Sequence, residues 1–121
     1  MIYIVDDDKY VLRGFQILLK SEDLESTAYE SAEEFLKSWD EDERDILILD
    51  IHMPGMSGCD LLEYLEKRNL HLPVIIVSAY EEPASRICSK KYGVLAYLIK
   101  PVESEILLDL IKTNHKKLID V

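Results

Sequence analysis

Acidic residues follow two apolar stretches of the sequence at the points where those stretches end. Asp6, Asp7 and Asp8 come directly after the first stretch, and Asp50 follows another. Runs of four or five apolar residues are typical of strands buried in a parallel sheet, whose carboxyl ends lie at one edge. Carboxylates crowded there repel one another unless a cation lies between them, and such oxygen ligands suit Mg²⁺. Asp6, Asp7 and Asp50 therefore predict a divalent-cation site, and Asp8 is interpreted as the cap of the next helix.

Two further polar residues follow later apolar runs. Ser78 comes after residues 74–77, and Lys100 comes after residues 95–99. A hydroxyl and an ammonium opposite carboxylates can hold the oxygens of an incoming phosphoryl group, as expected where a carboxylate accepts phosphate. Taken alone, Ser78 would be interpreted as an ordinary turn residue and Lys100 as an ordinary surface lysine. Their combination with the three acids predicts a phosphoryl-transfer site.

Strand and helix patterns alternate along the whole chain. The predicted strands are residues 2–5, 25–29, 46–49, 74–77 and 95–99, of which 25–29 has the alternating polarity of an edge strand. Apolar stripes at helical spacing occur at Val11, Phe15, Leu18 and Leu19; at Ala32, Phe35, Leu36 and Trp39; at Leu61, Leu62 and Leu65; and at Ile106, Leu107, Leu110 and Ile111. A fourth helix is predicted over residues 83–92. Five strand-helix repeats predict an α/β fold with a doubly wound parallel sheet.

Composition excludes several functional classes. The 121 residues include 24 acids and 14 bases, for a net charge of −10, which argues against nucleic-acid binding by this domain. The acids are concentrated in residues 1–60, and those at 40–45 are interpreted as a solvated face. No apolar run is long enough to cross a membrane and the start lacks a basic leader, so we expect a cytoplasmic protein without membrane partners.

The two cysteines, Cys59 and Cys88, lie far apart in the sequence. They have no CxxC spacing and no histidine at ligand spacing. The interpretation is a pair of buried, reduced thiols without a chemical role.

Five motifs in order resemble the receiver domain of two-component response regulators, of the chemotaxis type. They are Ile4-Val5-Asp6-Asp7, Leu47-Ile48-Leu49-Asp50, Met53-Pro54-Gly55-Met56-Ser57-Gly58, Val77-Ser78-Ala79 and Ala96-Tyr97-Leu98-Ile99-Lys100-Pro101. The resemblance covers residues 1–121 as one receiver domain. It implies a flavodoxin-like three-layer sandwich with five helices and strand order 2-1-3-4-5. It also implies a signalling protein that promotes its own phosphorylation and dephosphorylation and is not an enzyme in the usual sense.

The resemblance also implies roles for the acidic residues. Asp50 is expected to be the phosphoacceptor. Asp7 and Asp50 are expected to bind Mg²⁺, for which Mn²⁺ can substitute, together with the backbone carbonyl of His52. Asp6 is expected to hold a water of the metal.

The remaining site roles also come from the resemblance. Ser78 and Lys100 are expected to contact the phosphoryl group, and the Lys100–Pro101 peptide is expected to be cis. After phosphorylation, Ser78 is expected to move toward the new oxygens and Tyr97 to turn inward. The readout is then the face formed by the fourth helix, the fifth strand and the fifth helix.

Two positions depart from the family pattern. His52 lies two residues beyond Asp50, and Tyr80 lies two residues beyond Ser78. Both are expected to overhang the phosphoryl group and to tune the access of hydrolytic water. The hypothesis is that Tyr80 shields the acyl phosphate and lengthens its life.

Other readings of the same residues stay open at this point. A haloacid-dehalogenase-like phosphohydrolase would use Asp6 as nucleophile, with Asp8 completing a D-x-D spacing. A flavodoxin-style binding module and a receiver that acts without phosphorylation are further alternatives. The expected partner is a sensor histidine kinase or phosphotransfer protein, with a phosphorylation-dependent homodimer as another. The domain either acts alone or is the N-terminal part of a longer DNA-binding regulator.

Overall fold

The fold was obtained as a computed structural model that describes the backbone of residues 1–119 and side chains through Asn114. The predicted domain end at Val121 lies outside the described residues. The elements are β1 (Ile2–Val5), α1 (Lys9–Ser21), β2 (Ser26–Tyr29), α2 (Ala32–Ser38), β3 (Ile46–Asp50), α3 (Gly58–Lys67), β4 (Val74–Ser78), α4 (Pro83–Tyr92), β5 (Ala96–Ile99) and α5 (Ser104–Ile119). The alternation of strands and helices predicted from the sequence is confirmed.

The five strands form one parallel sheet in the order β2-β1-β3-β4-β5. Val5 pairs with Leu49, so the residues that follow β1 lie beside the end of β3. Ser78 pairs with Ile99, which brings the end of β4 beside the residue that follows β5. The expected strand order is confirmed, and the register places the predicted site residues at one edge.

The central strands are buried on both faces because helices cover the sheet on each side. Leu47 and Leu49 of β3 face a core that contains Phe35 of α2 and the leucines of α3. Ile46 and Ile48 face the opposite core, which contains buried residues of α1 and α5. This alternation explains why the strands read as continuous apolar runs in the sequence.

Two helical stripes differ from the sequence prediction by one residue. In α1, Leu12 is buried and Val11 only partly so, and in α5 Ile106 is 45% exposed beside the buried Leu107. An α-helix turns about 100° per residue, so the orientation set by sheet contacts decides which of two adjacent apolar residues faces inward.

Asp45 corrects the interpretation of residues 40–45 as a solvated face. Its carboxylate is 6% exposed, accepts a hydrogen bond from the Trp39 indole at 3.1 Å and lies 3.1 Å from the amino group of Met1. A buried carboxylate needs such partners, because desolvation without them is costly. The indole becomes its partner only when α2 packs against the sheet.

The interpretation of Cys59 and Cys88 as reduced thiols is also wrong. The structure joins them in a disulfide between α3 and α4, with Cα atoms 5.8 Å apart, within the usual range for such bonds. The 29-residue separation gave no signal, because the two helices become neighbours only through the order of the strands in the sheet.

Gly58, at the start of α3, packs directly on the chain that leaves β3. Its N–H donates to the Ile51 carbonyl at 2.9 Å, and an added Cβ would lie 2.5 Å from the Asp50 carbonyl oxygen. Ser57 caps the helix in a full capping box with Asp60. A residue without a side chain therefore lets α3 begin beside the end of β3.

We predict that Gly58→Ala lowers the free energy of unfolding by about 1–3 kcal/mol, because the added methyl meets rigid backbone. Gly14→Ala is the matched control: no atom lies within 4 Å of its added Cβ in α1, so it should raise stability by about 0.5–1 kcal/mol. Urea unfolding of both variants checks this. Equal effects of the two substitutions would contradict the packing argument.

Candidate functional site

Three carboxylates meet at the carboxyl edge of the sheet. Asp6 and Asp7 follow β1, Asp50 ends β3, and one oxygen of each lies within 4.8 Å of the others. Asp6 and Asp50 are buried, at 1% and 4% exposure, whereas Asp7 is exposed. The side chains that the sequence predicted as ligands are therefore brought together, with one of the three open to solvent.

Lys100 lies beside the carboxylates and is the residue before a cis proline. The Lys100–Pro101 peptide is cis, as expected. The Lys100 ammonium donates to Asp6 at 2.8 Å and lies 3.8 Å from an oxygen of Asp50. One cation thus faces two buried acids at once.

The crowding perturbs the titration of both partners. Burial, with the charge of Asp6 adding to it, raises the pKa of Asp50 to about 6, although Lys100 opposes the shift. For Lys100, burial lowers the pKa, but the hydrogen bond to Asp6 and the charge of Asp50 outweigh it, so the net direction is upward. Lys100 therefore does not fully offset the combined effect of burial and of the Asp6 charge on Asp50.

This donor set fits a hard divalent cation. Carboxylate oxygens are the ligands that Mg²⁺ uses, and a cation at this position would offset the repulsion that Asp50 experiences from Asp6. An exposed Asp7 also leaves the cluster open to solvent, which suits a metal that keeps waters.

Two hydroxyls converge on one backbone carbonyl next to the cluster. The Ser78 side chain, fully buried at the end of β4, donates to the Tyr80 carbonyl at 2.9 Å. The Tyr97 hydroxyl donates to the same oxygen at 3.3 Å, and the Arg86 guanidinium lies 4.5 Å from the centre of the Tyr97 ring. The sequence predicted Ser78 and Tyr97 as members of one switch, but it gave no signal that a shared acceptor joins them.

A family model for the response regulator receiver domain matches residues 2–112. The chain belongs to that family. Among its relatives, nodulation protein W of Bradyrhizobium diazoefficiens is 33% identical over 109 residues, which are 90% of this chain and 48% of the relative. Transcriptional regulatory protein FixJ of Azorhizobium caulinodans is 28% identical over 113 residues, which are 93% of this chain and 54% of the relative. The receiver thus spans about half the length of these curated relatives.

Solved structures agree with this assignment. The response regulator StyR superposes with a TM-score of 0.88 and 31% identity, covering 98% of this chain and 60% of that one. A CheY-like receiver domain protein of Methanospirillum hungatei superposes with a TM-score of 0.84 and 30% identity, covering 98% and 95% of the two chains. The flavodoxin-like arrangement implied by the sequence motifs is confirmed.

The acidic cluster is the kind of site expected in a receiver domain. Receivers bind Mg²⁺ at an acidic pocket and are phosphorylated by histidine kinases, and the acidic pocket is present here as Asp6, Asp7 and Asp50. They are parts of signalling regulators and do not form a classical enzyme family. Among the helices of residues 1–119, none has the length and apolar character needed to cross a bilayer.

The phosphohydrolase alternative receives no support. The receiver assignment gives no reason to make Asp6 a nucleophile. The carboxylate of Asp8 instead accepts hydrogen bonds from the amides of Tyr10 and Val11, so it caps α1 as the sequence indicated.

His52 and Tyr80, the two departures from the family pattern, touch each other in this receiver. Their rings stack with centroids 4.6 Å apart. The His52 Nε2 atom is buried without a hydrogen-bond partner among the described residues, 3.9 Å from Glu82. The stack joins the loop after β3 to the loop after β4, and the sequence gave no signal for it.

We predict a pH dependence from the raised pKa of Asp50. The metal-free native protein holds this proton more tightly than the unfolded chain, so the stabilisation is present below pH 3.8 and is lost as pH rises through about 6. At pH 7 without metal, the free energy of unfolding of Asp50→Asn should therefore exceed that of the wild type by roughly 1–3 kcal/mol. Urea unfolding of both proteins at pH 4 and pH 7 measures the difference. A variant no more stable than wild type at pH 7 would contradict the burial argument.

Proposed function

We propose that this receiver acts in phosphorelay signal transduction, with Asp50 as its phosphoacceptor. The observation that carries the proposal is the position of Asp50, buried at the end of β3 within 4.8 Å of two other carboxylates and 3.8 Å from Lys100. The donor is a sensor histidine kinase, a phosphotransfer protein or a small acyl phosphate. Mg²⁺, for which Mn²⁺ can substitute, is held by Asp6, Asp7, Asp50 and the backbone carbonyl of His52.

The chemistry is an in-line displacement at phosphorus. An oxygen of Asp50 forms the new bond to phosphorus as the bond to the donor nitrogen or oxygen breaks, and the donor leaves with that electron pair. Lys100 neutralises charge on the transferring oxygens, since its ammonium already lies within 4 Å of Asp50. Bound Mg²⁺ supplies further charge neutralisation on the phosphoryl oxygens.

The conformational response to phosphorylation depends on the Tyr80 carbonyl, which accepts hydrogen bonds from both Ser78 and Tyr97. When Ser78 turns toward the phosphoryl oxygens, it gives up its hydrogen bond to the Tyr80 carbonyl. The Tyr97 ring, whose hydroxyl shares that acceptor, then turns inward. This movement changes the face formed by α4, β5 and α5, where large apolar residues are exposed, namely Leu95, Ile99 and Ile106.

The same proposal covers the place of this domain in the cell and in a longer protein. Residues 1–121 form one cytoplasmic receiver domain that does not itself bind nucleic acid, in keeping with its charge of −10. The domain is the N-terminal part of a longer DNA-binding regulator, because relatives such as FixJ are transcriptional regulators about twice its length. The exposed apolar face of α4, β5 and α5 supports a phosphorylation-dependent homodimer.

We predict that acetyl phosphate with Mg²⁺ adds one phosphoryl group to the protein and that Asp50→Asn abolishes the addition. Asp8→Asn is the matched control, because asparagine caps a helix as well as aspartate does and Asp8 lies outside the cluster. Intact-protein mass spectrometry measures the product. A phosphoryl group that persists in Asp50→Asn but is lost in Asp6→Asn would overturn the assignment in favour of Asp6 chemistry.

The stacked ring of Tyr80 is proposed to shield the acyl phosphate from water. Tyr80 is 52% exposed, and its ring lies against His52, two residues from Asp50. In this position the ring pair excludes attacking water from the phosphoryl group.

We predict that Tyr80→Ala accelerates hydrolysis of the acyl phosphate by a factor of about 3–10, equivalent to roughly 1 kcal/mol of barrier. Tyr80→Phe retains the ring and should leave the rate unchanged. Loss of the phosphoryl group is followed by mass spectrometry after removal of acetyl phosphate. The shielding role is wrong if the alanine and phenylalanine variants lose phosphate at the wild-type rate.

A further inference from the structure

The Cys59–Cys88 disulfide joins the two parts of the receiver that flank the phosphoacceptor. Cys59 lies in the first turn of α3, directly after Gly58, whose amide is bonded to the Ile51 carbonyl. Cys88 lies in the middle of α4. The disulfide therefore connects the chain that leaves Asp50 to α4, a helix of the face formed by α4, β5 and α5.

The central part of α4 buries little apolar surface. Its fully buried residues are both serines, Ser85 and Ser89, whereas α3 buries three leucines. The Ser89 hydroxyl donates to the Ser85 carbonyl of the same helix at 2.7 Å and so does not attach α4 to another element. Ile87 is 68% exposed. An element with so little buried apolar surface moves readily, so a covalent bond strongly limits its freedom.

The ends of α4 have their own attachments. The Tyr92 hydroxyl donates to the carbonyls of Leu70 and Leu72, each at 3.1 Å. Near the start, Arg86 pairs with Glu81 and lies over the Tyr97 ring. These polar contacts hold the helix at its ends, while the disulfide holds its middle to α3.

The disulfide is accessible to a reductant. Both cysteines are half-buried and line a groove of about 410 Å³ between α3 and α4, whose other walls include Leu62, Ala84 and Ile87. Disulfides of proteins in reducing compartments are usually transient or redox-sensing. The sequence contains no other cysteine, so no third protein thiol competes for either sulfur.

We infer that Cys59 and Cys88 form a redox modification site, opened by a dithiol reductant, whose oxidised state restrains the response of α4 to phosphorylation. This inference rests on the proposed role of Asp50. The disulfide coexists with the arrangement in which Ser78 donates to the Tyr80 carbonyl. When Ser78 turns toward a phosphoryl group, the chain leading into α4 moves with it, and the bond to α3 opposes that movement.

Reduction of the disulfide is a two-electron thiol–disulfide exchange with the dithiol. A thiolate of the reductant attacks one sulfur, the Cys59–Cys88 bond breaks, and a mixed disulfide forms. The second thiol of the reductant then displaces the remaining cysteine. The receiver gains two electrons and two protons, and the dithiol becomes a disulfide.

Thermodynamic linkage makes the coupling reciprocal. If the disulfide disfavours the phosphorylated arrangement by some factor, phosphorylation disfavours the disulfide by the same factor. Reduction of the bond by dithiothreitol should therefore become easier, by about fivefold or more, after phosphorylation, in the range of typical allosteric coupling.

The experiment uses the full 121-residue chain in its oxidised and dithiothreitol-reduced forms, each with and without acetyl phosphate and Mg²⁺. Mass spectrometry counts the phosphoryl groups, and hydrogen exchange reports protection of α4. We expect both forms to gain one phosphoryl group, but α4 protection to change on phosphorylation mainly in the reduced form. Cys59→Ser and Cys88→Ser should each respond as the reduced form does, with or without dithiothreitol.

Distinct outcomes separate the two proposals. Failure of both redox forms to gain a phosphoryl group overturns the role of Asp50, and the coupling fails with it. Normal phosphorylation with the same change in α4 exchange in both forms, and the same dithiothreitol midpoint with and without phosphate, overturns the coupling alone. A bond that dithiothreitol does not open in the native protein, or that is absent after air oxidation, overturns the redox site itself.

Discussion

Repulsion among Asp6, Asp7 and Asp50 is the constraint on which the site depends. Three carboxylates with oxygens within 4.8 Å, two of them buried, hold negative charge that one lysine offsets incompletely. Burial, with the charge of Asp6 adding to it, raises the pKa of Asp50 to about 6. An additional cation relieves the repulsion, and so does a proton. The acids therefore favour binding of positive charge beside Asp50, the proposed phosphoacceptor, and Lys100 lies close enough to stabilise a phosphoryl group there.

The fold maintains this unfavourable arrangement. Strands β1 and β3 are neighbours with apolar cores on both faces, so their carboxyl ends cannot separate without disrupting the sheet. Gly58 lets α3 begin directly against the Asp50 carbonyl. The cis peptide before Pro101 accompanies the inward position of Lys100. Buried hydrophobic surface thus holds together charges that would separate in a flexible chain.

Sequence reasoning predicted the positions of the site residues where those positions follow directly from strand ends. Asp6, Asp50, Ser78 and Lys100 each follow an apolar run, and parallel strands bring such positions to one edge. It failed where contacts depend on how separate helices and loops pack. The Asp45 partners, the Cys59–Cys88 bond and the His52–Tyr80 stack all join segments whose proximity is set by the finished fold. No local pattern marks such pairs, so a single sequence could not reveal them.

The most direct test of the charge-balance account is a calorimetric titration of the receiver with Mg²⁺ at pH 5 and pH 7. The account predicts one binding site whose affinity rises by about tenfold between these values, because Asp50, with a pKa of about 6, must lose its proton to bind. Asp50→Asn should bind more weakly and lose the pH dependence. Equal Mg²⁺ affinity of the wild type at both pH values, or no saturable binding, would contradict the central role of these carboxylates.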